Sequence, residues 1–273
     1  MKKRLTKEQK FLYSRIAILG LALGAGASLV MGFKGFPFWY GAFVLCLSLC
    51  LGLINWREHT FVWLAFNKPY IAALFFAGLV ATAYIGDTFG LTIHLWFYPY
   101  YHGAGLLWVY FVLYPFGGLA VLELVYALGA LLNERLTFRE QPLTRYHHIV
   151  DTGEDILFLF LSLLILLGAV GEPVTFSFVV AVTCIWYALV LLKLRLHLKN
   201  PGHYTFVLLL GTLLSLLLHE IPNASAREWV YWSGPFLGST FLGLPLFVFL
   251  GWYALTLVPL RLWIYLVRHP DVR

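Results

Sequence analysis

The chain has 273 residues, 61% of them hydrophobic and 12% charged, with a net charge of +6 and a mean hydropathy of +0.81. A soluble domain carries about 25% charged residues, so an apolar excess of this size cannot be hidden inside a water-soluble globule and lipid must solvate most of the surface. The positive charge collects in short segments between apolar runs, which excludes the continuous basic stripe of a nucleic-acid binder.

Five basic residues (Lys2, Lys3, Arg4, Lys7, Lys10) precede the first apolar run, at 14–33. That run is long for a signal-peptide core and further spans follow, so it reads as an uncleaved first helix. Further runs fall at 37–55, 70–88, 105–132, 155–171, 174–192, 204–220 and 236–260, giving eight predicted transmembrane helices of the length a bilayer requires. The fourth and eighth are long and each holds a proline, Pro115 and Pro245, which predicts tilt or kinking and a freed carbonyl one turn earlier, at Phe111 and Phe241. With the N-terminus inside, seventeen basic residues fall on the inner side and only Lys34 and Arg227 on the outer side. This bias predicts a multi-pass protein of the cell (inner) membrane with both termini cytoplasmic. Cys46, Cys50 and Cys184 all lie in apolar runs and read as small buried residues rather than as disulfide or metal ligands.

Two distant stretches share a plan. Asp87 closes an apolar run, Trp96 follows nine residues later, and then come Phe97, Tyr98, Tyr100 and Tyr101. Glu220 closes another, Trp229 follows nine residues later, and then come Tyr231 and Trp232. A matched pair of this kind predicts a duplicated unit: a first four-helix repeat over 1–135, a cytoplasmic linker over 136–150 and a second four-helix repeat over 151–273. An even number of spans per unit makes the repeats parallel, related by an axis along the membrane normal. The fold class is therefore all-α and polytopic.

Carboxylates at a membrane edge are costly to place. One per repeat, near a shared cavity, gives a pair able to supply an acid and a base at neutral pH. Each acid can equally serve only to end its helix at the interface. His94 and His219, beside the two acids, can share protons with them or simply cap the interface. Trp96, Tyr98, Trp229 and Tyr231 suit the lining of an apolar ligand site, where ring faces stabilise a transient cation. They equally suit the interfacial aromatic belt of any membrane protein. Glu123, the deepest acid, is either a proton-handling group or a carboxyl hydrogen-bonded to a neighbouring helix. His147, His148, Asp151, Glu154 and Asp155 form the richest polar cluster. It admits a divalent-metal reading, but Thr152 with Asp155 makes a capping box for the fifth helix, and no metal is assigned. No phosphate loop, dinucleotide-binding glycine pattern, nucleophile elbow or zinc-protease motif is present.

Gly86-Asp87-Thr88-Phe89-Gly90 with Trp96-Phe97-Tyr98, and Glu220 with Trp229-Val230-Tyr231 and Leu242-Gly243-Leu244-Pro245-Leu246, resemble the lycopene cyclase domain family and the related multi-span carotenoid hydratases. The resemblance implies an all-helical membrane enzyme that protonates a double bond of a long isoprenoid and directs the carbocation. It implies a lipid bilayer and an apolar isoprenoid as partners, no cofactor and no nucleic acid, with self-association left open. Asp87 and Glu220 would then be proton donor and acceptor, and Glu123 a second proton-handling group. The chain departs from the cyclases after each proline. Where they carry paired glutamates, it reads Phe116-Gly117-Gly118 and Leu246-Phe247-Val248. The competing expectation is a non-catalytic lipid- or pigment-binding protein or a transporter.

Overall fold

A computed structural model describes residues 7–92, 94–132, 201–231, 240–241 and 244–268. The described part is mostly helical. Helix α1 (Lys7–Phe33) and α2 (Trp39–Ile54) form a hairpin, followed by a single 3-10 turn at Asn55–Glu58, the short α3 (Phe61–Asn67) and α4 (Pro69–Thr92). Strand β1 (Trp96–Phe97) precedes a 3-10 turn at Gly103–Gly105, the one-turn α5 (Leu106–Trp108), a π-helical turn at Val109–Leu113 and α6 (Tyr114–Leu131). The second half supplies α7 (Pro201–Ala226), β2 (Val230–Tyr231), the β3–β4 hairpin (Thr240–Phe241, Leu244–Pro245) and α8 (Leu246–Arg268).

Five stretches are long and apolar enough to cross a membrane: Tyr13–Phe33, Trp39–Glu58, Pro69–Thr92, Gly103–Leu131 and Phe206–Ala226. They correspond to the first, second, third, fourth and seventh expected spans. The fifth and sixth expected spans, the linker at 136–150 and the His147–Asp155 cluster lie outside the described residues.

Three boundaries differ from expectation. Asp87 and Glu220 do not end their helices; α4 runs on to Thr92 and α7 to Ala226. Both acids are tied down by hydrogen bonds, so the helix need not stop where the charge appears. Pro245 does not kink a helix. It sits in β4, opposite Thr240, and α8 begins immediately after it. Proline fits a short strand followed by a helix start, where its missing N–H removes no ladder or helical bond. Pro115 does lie within a helical run, directly after the π-helical turn, whose extra residue widens the helix where the ring must fit.

The main core joins α4, α6, α7 and α8 through Phe75, Leu79, Leu119, Leu122, Leu208, Leu257, Leu260 and Trp263. A second cluster joins α1, α2 and the π turn to the aromatic segment after β1, with Trp39, Phe43, Tyr98, Tyr101 and Val109 at its centre. Large apolar side chains face outward along the same helices: Leu23, Leu74, Ile85, Phe111 and Phe206 are all more than half exposed. Hydrocarbon is the solvent that tolerates such a surface. In lipid the hydrophobic effect does not drive helices together, so close backbone approach and buried polar contacts carry the packing. Gly52 illustrates the approach, since a Cβ there would lie 2.2 Å from Val62 Cγ2.

Candidate functional site

Asp87, on the last turns of α4, is 1% exposed. Three neutral donors converge on its Oδ1: the Trp96 indole N–H at 2.9 Å, the Tyr98 hydroxyl at 2.5 Å and the Tyr114 hydroxyl at 2.9 Å. Tyr98 and Tyr114 are themselves 3.0 Å apart through their hydroxyls. Oδ2 is buried and has no hydrogen-bond partner among the described residues. Tyr110 also lies beside the carboxyl group. The turn after α4 sets this up. Gly90 leaves its face bare, the Trp96 ring packs against it (a Cβ there would be 2.1 Å from Cζ2), and the indole N–H reaches back to Asp87.

Glu220, on α7, is equally buried but held differently. Oε1 accepts the Tyr231 hydroxyl at 2.6 Å and the Trp252 indole N–H at 2.7 Å, and Oε2 accepts the Trp229 indole N–H at 3.2 Å. The Trp donor stands nine residues after the acid and the Tyr donor eleven in both clusters. The third donor differs, a phenol from the start of α6 for Asp87 and an indole from α8 for Glu220, and so does the division between oxygens: the Trp donor shares an oxygen with the Tyr donor on Asp87 and takes the other oxygen on Glu220. Burying a carboxyl group in an apolar surround costs several kcal/mol. Three donors to an ionised carboxylate, each bond worth about 1.5–3 kcal/mol, offset that cost.

The two clusters adjoin. Strands β1 and β2 pair antiparallel with Trp96 opposite Tyr231 and Phe97 opposite Val230. A donor to Asp87 and a donor to Glu220 are thus direct cross-strand neighbours. Burial raises the Tyr98 and Tyr231 phenols well above 10, so both stay protonated as hydrogen-bond donors; for Tyr231 the Glu220 charge adds to this and Tyr114 contributes from across the site.

A third buried acid, Glu228, belongs to the same band and was not singled out in the sequence. It is fully buried, accepts the Tyr101 hydroxyl, and accepts the Tyr40 backbone N–H at 3.1 Å. Phe38, at the N-cap of α2, has no side-chain acceptor, so Glu228 caps that helix from a distance. Asn223 holds the turn that places Glu228, its Oδ1 accepting the Glu228 and Trp229 N–H groups while Arg227 takes a left-handed φ of 55°.

The predicted residues divide. Asp87, Trp96 and Tyr98 form one cluster, and Glu220, Trp229 and Tyr231 the other. His219 is buried beside Glu220 and ringed by Tyr40, Phe43 and Trp252 at centroid distances of 5.3, 5.5 and 4.6 Å. His94 is exposed in the turn after α4, φ 56°. Glu123 stands apart, roughly 13 Å further along α6 than Tyr114 at 1.5 Å rise per residue. It accepts Asn55 Nδ2 at 2.8 Å and the Phe61 N–H at 3.2 Å, which caps α3. Its hydrogen bonds are those of a structural tie. Tyr114, Trp252, Tyr40 and Glu228 carried no local signal, because each meets its partner only through tertiary packing; Tyr101 stood out as an aromatic after Trp96, but its bond to Glu228 did not. Among the described residues no group of three His, Cys, Asp or Glu side chains is arranged to hold a metal ion. No family model, curated protein or solved structure matches the chain.

Proposed function

We propose that the chain is an integral membrane enzyme that performs acid/base chemistry on a carotenoid or similar long isoprenoid. The single observation behind this is the unequal bonding of the two acids. A proton on Asp87 resides on Oδ2, because Oδ1 already accepts three donors. Glu220 has donors on both oxygens, the set that suits a carboxylate anion. One acid is therefore arranged to give a proton and the other to hold negative charge, which is the division of labour that proton-initiated chemistry on an alkene requires.

In this reading Asp87 Oδ2–H protonates one carbon of a C=C bond. The π pair forms the new C–H bond, and the neighbouring carbon becomes cationic. Glu220 and the faces of Trp96, Trp229 and Trp252 stabilise that charge. Glu220 then takes a proton, from an adjacent carbon to give a rearranged or cyclised alkene or from a captured water to give an alcohol, and a proton returned to Asp87 resets the site. The cyclases' glutamates after the proline are replaced here by acids on α4 and α7.

The finer architecture belongs to the same proposal: eight spans in two parallel four-helix repeats, with Asp87 and Glu220 presented to a common chamber at the outer leaflet. The strand register supports it. The step along the chain that carries Asp87 to Glu220 also carries Trp96 to Trp229, Tyr98 to Tyr231 and Phe97 to Val230. An antiparallel pair in which Phe97 meets Val230 is what two copies related by a two-fold axis form when the axis passes between those residues.

The test is expression of the full chain in cells that accumulate lycopene, with extraction and chromatography of the pigments. A new product that disappears with Asp87→Asn and with Glu220→Gln supports the enzyme. Pigment that co-purifies unchanged assigns binding without turnover, and an unaltered profile with no co-purification removes this substrate.

A further inference from the structure

Below Glu220, α7 carries a buried polar row facing α8: His219, Ser215 and Thr212 on α7, with Trp252 and Thr256 on α8. Polar side chains inside a membrane-spanning helix are costly unless something bonds them. Part of the row is satisfied internally. Thr212 Oγ1 meets Thr256 Oγ1 at 3.1 Å, Thr256 Oγ1 donates to the Trp252 carbonyl at 2.9 Å, and the Trp252 indole N–H reaches Glu220.

Two atoms are not. Ser215 Oγ and His219 Nε2 are buried with no hydrogen-bond partner among the described residues. His219 Nδ1 is bonded to the Ser215 carbonyl, which can only accept, so Nδ1 carries the hydrogen and Nε2 of the neutral ring is a lone pair. Its missing partner is a donor. Ser215 is 0% exposed and His219 is enclosed by three aromatic rings, so the partner is small. Buried polar groups in folded proteins are almost always satisfied by protein or by ordered water, and water is the small molecule that both donates and accepts.

We propose that the α7–α8 seam holds a file of ordered water that carries protons between Glu220 and the opposite half of the bundle. The seam descends from Glu220 to Thr212. Gly211 packs against Val125, two residues past Glu123, so Thr212 lies near the depth of Glu123 and of the Asn55–Glu58 turn. On the other side of Glu220 lie the rings of Tyr40, Trp229 and Tyr231. A carboxylate that takes up a proton in each cycle must return it, and the seam is the polar way out. The proposal rests on proton exchange at Glu220 but not on any particular substrate.

The test is hydroxyl-radical footprinting of the full chain in lipid nanodiscs, with a brief X-ray pulse and mass-spectrometric readout. Radicals made from bound water mark the side chains beside it. Trp252 and Trp263 are similarly buried, at 6% and 3%, and Trp263 lies in the apolar core, so it is the dry control. Trp252 is expected to be oxidised about tenfold faster than Trp263, with His219 also marked. Ser215→Ala combined with Thr256→Val is expected to lower Trp252 labelling about fivefold and leave Trp263 unchanged. Equal rates at the two tryptophans, whether the seam is dry or its orphaned atoms are bonded by the rest of the chain, overturn the proposal, as does labelling indifferent to the double substitution. No turnover is needed. A failed pigment assay with a labelled seam removes the substrate alone, and product formation with a dry seam removes the water file alone.

Discussion

Asp87 and Glu220 each accept a Trp donor nine residues on and a Tyr donor eleven residues on, and differ in the third donor and in how the donors divide between the two oxygens; the third donor can be tested by substitution. Tyr114→Phe removes a hydroxyl from Asp87 Oδ1 without changing the ring's volume. It should lower stability by about 1–3 kcal/mol, the cost of one lost buried hydrogen bond to a carboxyl group, read from thermal unfolding in detergent. Trp252→Phe should do the same at Glu220 while leaving Asp87's bonds intact. Equal loss of product formation in both variants would contradict the separate roles given to the two acids. Glu228 makes a prediction about pH. Burial pushes its carboxyl above the ordinary 4.5, against the opposing pull of the Tyr101 hydroxyl and the Tyr40 N–H. A carboxyl raised in the folded state binds its proton more tightly folded than unfolded. Its contribution is therefore full below pH 4.5 and is lost as pH rises through the raised value. The stability margin of the native chain over Glu228→Gln should accordingly be widest in acid and narrow towards neutrality, seen as converging melting temperatures. At this scale the sequence was legible where donor and acceptor lie within one turn-and-strand unit: Trp96 and Tyr98 stand at fixed offsets from Asp87, as Trp229 and Tyr231 do from Glu220. Tyr114, Trp252 and Glu228 were not legible, because their bonds close over tens of residues or more and depend on which helices become neighbours.

Two helices here begin without a cap of their own and borrow one. Phe38 and Thr60, at the N-caps of α2 and α3, make no side-chain capping bond, and the exposed N–H groups behind them are met by Glu228 and Glu123. This gives an intramembrane glutamate a structural role: Glu123 supplies an acceptor where the helix dipole is positive, and it also takes the Asn55 amide. Glu123→Ala leaves the Phe61 N–H without its acceptor and the Asn55 amide with only the backbone carbonyl of residue 123, and should destabilise the protein by about 1–3 kcal/mol while leaving the bonds to Asp87 and Glu220 unchanged. Gly90→Ala tests the aromatic turn. Its Cβ would collide with the Trp96 ring, so the indole must swing away from Asp87 at a cost of about 1–3 kcal/mol in thermal stability. Apolar runs located the helices, since length and hydropathy are local properties. Their ends were less legible: a carboxylate reads as a helix end unless its donors are known, and Pro245 reads as a kink unless the β3–β4 hairpin before it is known.

At the scale of the molecule, a short ladder between β1 and β2 joins an early and a late stretch of the chain at the site. Strands of two residues add little stability themselves, but they fix register, and a slip of one residue would turn Trp96 or Tyr231 away from its acid. The pairing of Phe97 with Val230 gives a direct test. Antiparallel partners have Cα atoms about 4.5–5.5 Å apart, within the range a disulfide spans. In a background with Cys46, Cys50 and Cys184 replaced, Phe97→Cys with Val230→Cys should cross-link on mild oxidation and migrate as a closed loop on a non-reducing gel. Phe97→Cys with Ile54→Cys, at the far end of α2, should not. The same pair reports topology. In intact cells a membrane-impermeant thiol reagent should reach the reduced thiol at position 97 if the aromatic band faces outward, as the distribution of basic residues predicts. Cross-linking with outward labelling would support a doubled bundle that presents both acids on the outer side. Cross-linking with labelling only after lysis would keep the paired site but invert the membrane orientation, placing the seam's far end outside and reversing the direction in which it would exchange protons.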